Sequence, residues 1–190
     1  MARPFSHVIG FDDGPFDRAR LRGKVAVVGA VFSGLRLEGV LCGEVRRDGS
    51  DATRTLVRMV SESKFAAQLQ VILLQGIALA GFNVLDLHEL HERLGLPVMT
   101  VARRRPRMRK IRSALLEGGV PGGARKWRLI ESAGAMEAVA GVYVQRIGLS
   151  LEQARKLIER TAVHSSIPEP LRTAHLIAGG LAAGESRGRA

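Results

Sequence analysis

A chain of 190 residues, 46% hydrophobic and 25% charged, is long enough to bury about 70% of the surface its unfolded form exposes. No apolar run approaches the roughly 18 residues of a membrane span, Asp12 and Asp13 interrupt the N-terminal apolar stretch before a signal-like core forms, and a lone cysteine, Cys42, excludes an internal disulfide framework. The expected setting is the reducing cytoplasm, and a net charge of +11 carried by 24 Arg and 5 Lys points to a polyanionic partner.

The first element, "SHVIGFDD", reads as a short strand that ends in two adjacent carboxylates, Asp12 and Asp13. "KVAVVGAVFSG" (24–34) and "LRLEGVLCGEVRRDG" (35–49) follow as β-rich runs, joined at Ser33-Gly34 and closed by Asp48-Gly49. Connections this short favour antiparallel neighbours. Cys42, on the second of these runs, reads as a packing residue.

"SDATRTLVRMVSES" places Leu56, Met59 and Val60 at helical spacing behind a Ser/Asp start, so a helix is predicted with Asp51 at its entrance. "QVILLQG" (70–76) is continuously apolar, as a strand buried on both faces is. "VLDLHELHERLG" (84–95) repeats Leu87, Leu90 and Leu94 and stops at Gly95, a helix with a C-terminal glycine. "LPVMTVA" (96–102) is a second buried strand.

The basic stretch "RRRPRMRKIRSALLEGG" continues as loop and helix. From 101 to 128 the chain carries ten cations, Arg103, Arg104, Arg105 and Arg107 among them, against the single acid Glu117. Nucleic acid is the expected partner of such a local field, a solvated helix face being the alternative. Trp127, flanked by Arg125, Lys126 and Arg128, suits a core anchor better than a platform for a base.

"MEAVAGVYVQRIG" (136–148) is ambiguous between a β-ribbon and a loop. Beyond it the pattern is helical: Ser150–Gln153 and Ser166–Glu169 both match the capping box, and Leu171, Ala174, His175, Ala178, Leu181 and Ala182 share one face of a last helix before a polar tail, 184–190. Without a linker or internal repeat, residues 1–190 read as one domain. Three antiparallel strands followed by helix, strand, helix, strand and helices imply an α/β mixed sheet with flanking helices, the layout of the ribonuclease H-like fold.

In such a sheet Asp12, Asp51 and Gln75 arrive at strand ends or the loops beside them. Two or three carboxylates gathered there would hold one or two Mg²⁺ ions, which activate water and stabilise a leaving phosphodiester oxygen. The spacing leaves two structural alternatives open: Asp51 as an ordinary N-cap, and Asp12-Asp13 as an Asp-Gly turn ahead of Pro15. His88, His91 and Glu92 lie on an amphipathic helix with no third ligand apparent, so they read as solvating residues, as does His164. No phosphate-loop motif occurs, which disfavours a nucleotide cofactor.

"IGFDDGPF", "GVLCGEV", "DAT", "GIALAGFNVLDL", "GLPV", "SIPEPLRTAHLIAGG" and the terminal "GESRGRA", in that order and over nearly the whole chain, resemble the archaeal endonuclease dU family, a relative of endonuclease V. The resemblance implies a ribonuclease H-like fold and Mg²⁺- or Mn²⁺-dependent nicking of DNA at deaminated bases, deoxyuridine in particular. It assigns Asp12 to the first-strand metal carboxylate, with Asp13 as a supporting acid or turn residue, and Asp51 to the second acid. Gln75 stands where a third metal carboxylate is expected, Arg103 where the relative has a Lys near the phosphate, and His175 where it has another acid. Gln75 departs from that pattern by losing a charge, so the expected activity is either slow cleavage or binding without cleavage. A domain that merely carries a basic surface is the blandest alternative.

Overall fold

The computed structural model describes residues 5–17 and 23–186. The polar tail therefore lies partly outside the described residues. In chain order the elements are β1 (His7–Asp13), β2 (Lys24–Ser33), β3 (Arg36–Arg46), α1 (Ala52–Ser61), β4 (Val71–Gln75), β5 (Ala78–Leu79), β6 (Asn83–Val84), α2 (Leu87–Leu94), β7 (Val98–Ala102), α3 (Met108–Glu117), α4 (Gly123–Ser132), β8 (Glu137–Val139), β9 (Val142–Ile147), α5 (Leu151–Thr161) and α6 (Glu169–Ala183).

Seven strands form one mixed sheet in the order β3-β2-β1-β4-β7-β9-β8, with β5 and β6 pairing separately. The β2–β3 pair is antiparallel as its two-residue turn, Gly34-Leu35, requires, and β1–β2 is antiparallel as well, whereas β1–β4 and β4–β7 are parallel, reached by crossovers through α1 and α2. This is the ribonuclease H-like arrangement, an α/β fold with helices on both sheet faces.

Side chains alternate between those faces. Ile9, Phe11, Val27, Ile72 and Leu74 join Leu56, Val60, Leu87 and Leu90 on the α1–α2 side. Val8, Val71, Leu73, Met99 and Val101 meet Leu157, Ile158 and Leu171 on the other side, where Val28, Ala30 and Phe32 also pack on Ala174 and Ala178 of α6. A third cluster, Val84, Leu115 and Ile130, draws in Trp127, Ile111 and Leu129. Trp127 is thus a packing residue.

Of the two readings of 136–148 the β-ribbon holds: it is the β8–β9 hairpin, which extends the sheet beyond β7 through antiparallel pairing of β9. Three other expectations need correction. The helix anticipated from 84 begins at Leu87, because Val84 is held in β6 and Asp86 accepts the Glu89 N–H as N-cap; Gly95 ends it in the left-handed conformation as expected. Ser150 and Gln153 do form the reciprocal capping box, but the matching Ser166–Glu169 pattern does not. There Pro168 is the N-cap, and the Glu169 carboxylate instead accepts from the Arg172 guanidinium. Finally, Cys42 is exposed. It lies on edge strand β3, while α6 packs over β1 and β2, so among the described residues no helix covers that face of β3.

Candidate active site at the strand ends

β1 and α6 run side by side with their rises matched. A methyl on Gly10 would sit 2.5 Å from the Pro170 carbonyl carbon, and one on Gly14 would lie 3.1 Å from Ala178 O. Four residues of strand and eight of helix each cover roughly 12–13 Å. Glycine at both positions lets the helix backbone lie directly on the strand. Between these two contacts, Asp12 and His175 meet: His175 Nδ1 is 2.8 Å from Asp12 Oδ2, and Asp12 Oδ1 accepts the Asp13 N–H at 2.9 Å.

Asp12 is only 5% exposed. Burial raises its pKa, although the hydrogen bonds from His175 and the Asp13 amide pull the other way. The His175 pKa is raised, first by its hydrogen bond to Asp12, against a lowering contribution from Arg103. The pair therefore favours a protonated imidazole beside a carboxylate. With Nδ1 committed to Asp12, Nε2 is the ring nitrogen left to meet a substrate.

Asp13 points to the opposite, α1-side face. Its Oδ2 accepts the Ala80 N–H at 3.0 Å, and burial together with the Asp12 charge pushes its pKa to about 6. Ala80 is held at φ +47° and its carbonyl accepts the Asp48 N–H at 2.9 Å. Asp48 in turn takes the Phe82 N–H on Oδ1 at 2.7 Å, while its carbonyl accepts from Lys126 Nζ at 2.6 Å. Lys126 is buried, and its pKa is lowered by desolvation. A residue that reads in the sequence as part of a surface charge run thus braces the loop that holds Asp13.

Phe11 pairs with Leu74 in the parallel β1–β4 ladder, so the next residues, Asp12 and Gln75, end neighbouring strands on the same sheet face. Gln75 Oε1 is buried and has no hydrogen-bond partner among the described residues. Arg103 follows β7 on that same edge and is half-buried, whereas Arg104, Arg105 and Arg107 are exposed in the loop before α3.

Asp51 is placed differently. It occupies the N-cap position of α1, yet its side chain caps no helix amide. Its Oδ1 accepts from Asn83 Nδ2 at 2.6 Å and from the Arg46 N–H at 3.2 Å. Asn83, fully buried, does the capping, with its Oδ1 accepting the Ala52 N–H at 3.0 Å. Asp12, Asp13 and His175 act electrostatically on one another, and Arg103 acts on His175, whereas Asp51 has no bond to any of them among the described residues. Sequence reasoning missed Asn83 and Lys126. The one signal for Asn83 was its place in the polar turn "GFNV". Of the weaker candidates, His91 Nδ1 contacts Leu96 O and His88 Nε2 contacts Ser132 O. Both secure helix ends.

Among the described residues no three His, Cys, Asp or Glu side chains stand together as a metal-binding group. The strand ends do offer the Asp12 carboxylate and the unpartnered Gln75 amide oxygen on one sheet face, with the Asp13 carboxylate tied to the Ala80 N–H on the other. This all-oxygen set suits a hard divalent cation such as Mg²⁺ or Mn²⁺. With one neutral member, it suits a single ion better than two.

Comparison with known proteins agrees with this architecture. A UPF0215 protein of Deinococcus radiodurans is 59% identical over 184 residues, covering 97% of this chain and 93% of its own. One from Methanosarcina barkeri is 42% identical over 193 residues, covering 99% and 96%. A crystal structure of a protein of unknown function from Archaeoglobus fulgidus superposes with a TM-score of 0.85 at 35% identity, over 92% of this chain and 97% of that one. Ciona intestinalis endonuclease V, solved in complex with a DNA that contains an inosine followed by a ribo-adenosine, shares the fold at a TM-score of 0.56 and 17% identity, over 90% and 83% of the two chains. The sequence profile described as Endonuclease dU matches residues 4–182, and the chain belongs to that family.

Proposed function

We propose that this protein is a metal-dependent endonuclease that nicks DNA at deaminated bases, deoxyuridine foremost. The observation that carries the reading is the contact of buried Asp12 with half-buried His175 at the C-terminal edge of β1, beside the unpartnered oxygen of Gln75. In phosphodiester hydrolysis a water oxygen adds to phosphorus, the bond to the leaving sugar oxygen breaks, and that oxygen takes up a proton. His175, held protonated by Asp12, is suited to deliver that proton from Nε2. Asp12 and Gln75 would hold Mg²⁺ or Mn²⁺, which supplies Lewis acidity when bound, with Asp13 as a supporting acid on the opposite face of the same strand end. Arg103 stands over the same edge to take a phosphate oxygen, with Arg104, Arg105 and Arg107 beyond it.

A cavity of about 250 Å³ opens between the β4 and β7 ends and the hairpin of β5 and β6, lined by Gly76, Ile77, Phe82, Met108, Ile111 and Met136. An apolar hollow next to phosphate-binding cations suits an extruded base, and a mispaired deaminated base costs less to extrude than a paired one. The endonuclease V fold relative captured on inosine-containing DNA supports the same substrate class.

A second reading, lesion binding without cleavage, is favoured by Gln75, because a neutral amide replaces the carboxylate expected there. The deciding experiment is a nicking assay on single- and double-stranded oligonucleotides bearing uracil or hypoxanthine, with Mg²⁺, Mn²⁺ or EDTA. Cleavage in metal and none in EDTA is expected; cleavage unaffected by EDTA refutes the metal mechanism, and tight binding without cleavage selects the second reading. Gln75→Asp restores a full charge to the donor set, so it should raise the nicking rate and lower the metal concentration required. An unchanged rate and metal requirement would remove Gln75 from the site.

A further inference from the structure

Lys24, Arg46, Arg54 and Arg58 line a groove of about 250 Å³ on the α1 side of the sheet edge, with Glu44 and Asp51 as its only acids. Lys24 pairs with Glu44 at 2.9 Å, both largely exposed, and Arg46 reaches Asp51 only at 3.8 Å. Arg54 and Arg58 are exposed, and neither guanidinium takes part in any of the ion pairs or hydrogen bonds found among the described residues; only the Arg58 carbonyl is engaged, by the Ser61 hydroxyl.

These two arginines are placed against their own helix. One turn apart on the same face of α1, they repel each other. Arg54 also lies in the first turn, which contains no acidic residue, and so faces the positive end of the helix dipole. Asp51 at the N-cap tempers the dipole, but among the described residues no carboxylate pairs with either guanidinium, whereas an external phosphate would pair with both, and the guanidinium fork matches phosphate geometry. Arg54 further borders an adjoining cleft of about 170 Å³ toward α4, where Arg125 and the buried Lys126 face the acids Asp86 and Glu89, so the excess of positive charge lies in the first groove.

The groove also sits at the right end of the sheet. Lys24 and Arg46 face each other across β2 and β3, at the same end as Asp13, which pairs with Val27. From β3 to β7 there are four strand spacings, roughly 19 Å, or about half a turn of a DNA duplex. Asp12 ends the strand midway between them.

We propose that this groove is a second clamp for the nucleic-acid phosphate backbone, holding the substrate on the side of Asp12 opposite the Arg103 loop. The inference rests on the nuclease reading above and adds a binding site to it. It is tested with the full chain in EDTA, by fluorescence anisotropy on a labelled duplex of about 24 base pairs between about 50 and 200 mM salt. Arg54→Gln/Arg58→Gln should weaken binding roughly tenfold at the higher salt and reduce the log–log salt slope by about 1.8, at about 0.9 per phosphate contact. Its melting temperature should not fall, since a repulsive pair is removed. Arg54→Lys/Arg58→Lys should keep most of the slope, which separates charge from any change in the helix.

Unchanged affinity and slope in the Gln variant, alongside weakened binding when Arg103, Arg104 and Arg105 are replaced by Ala, overturn the clamp and leave the nuclease reading standing. Failure of the wild type to bind any nucleic acid overturns both. Wild-type binding of inorganic phosphate that the Gln variant loses, with duplex binding intact, makes the groove a small-anion site and also overturns the clamp.

Discussion

Asp12 and Asp13 are neighbours in the chain with opposite surroundings, because a strand sends consecutive side chains to opposite faces. Asp12 meets His175 and Asp13 meets the Ala80 amide. With its pKa raised from 3.8 to about 6, Asp13 holds a proton in the folded chain that the unfolded chain has already released. Without metal, stability should therefore fall as pH rises from about 4 to 6, by on the order of 2 kcal/mol. Asp13→Asn should flatten that decline, which thermal melts in EDTA across this window will show. His175, also raised, contributes stability present below its unfolded value and lost as pH climbs through its folded one, so it acts in the same direction at higher pH. A divalent cation bound only by the folded chain should oppose both trends. Mn²⁺ at pH 7 is expected to raise the melting temperature of the wild type and not of Asp12→Asn; equal shifts in both would place the ion elsewhere. Asp12→Asn should also abolish nicking with the fold intact.

The pairing of β1 with α6 shows how much of the site was legible from the sequence and where legibility stopped. The first-strand acids and the Gln75 strand were readable because each closes a short apolar run, and the face bearing His175 because its apolar residues recur at helical spacing. The glycines at 10 and 14 carried the decisive information, since they let α6 lie on β1, yet a glycine in a strand signals close approach without naming what approaches. Lys126 and Asn83 were illegible for a related reason. Whether a lysine in a basic run is buried depends on a distant carbonyl, here that of Asp48, and local pattern holds no trace of it. At this scale Gly10→Ala is the sharp test. The added methyl meets Pro170 and Leu171 backbone atoms that cannot rotate away, so α6 must move. A loss of about 1–3 kcal/mol is expected, with a fall in activity larger than the stability loss explains, because the Asp12–His175 contact lengthens. Full activity would mean that α6 can slide without disturbing the pair.

Across the whole molecule, the candidate features share one edge of the sheet, and the proposed function divides affinity and selectivity between them. On that reading the Arg103–Arg107 loop would contact phosphates on any sequence, while the cavity bordered by Gly76, Phe82 and Met136, which is apolar, would respond to what a base is rather than to its charge. Two variants should separate these terms. Replacing Arg103, Arg104 and Arg105 with Ala should weaken binding to deaminated and ordinary DNA alike and reduce the salt slope by about 2–3, one counter-ion per lost phosphate contact. Met136→Trp, at a half-buried position on the cavity wall, should fill the hollow and leave the salt slope unchanged. If the hollow receives the extruded base, this variant keeps its affinity for ordinary duplex while its preference for uracil- or hypoxanthine-containing duplex falls severalfold, and nicking falls with the preference. Should Met136→Trp reduce affinity for every duplex to the same extent, the hollow is part of the backbone path, and selection of the damaged base must come from the ease of extrusion alone.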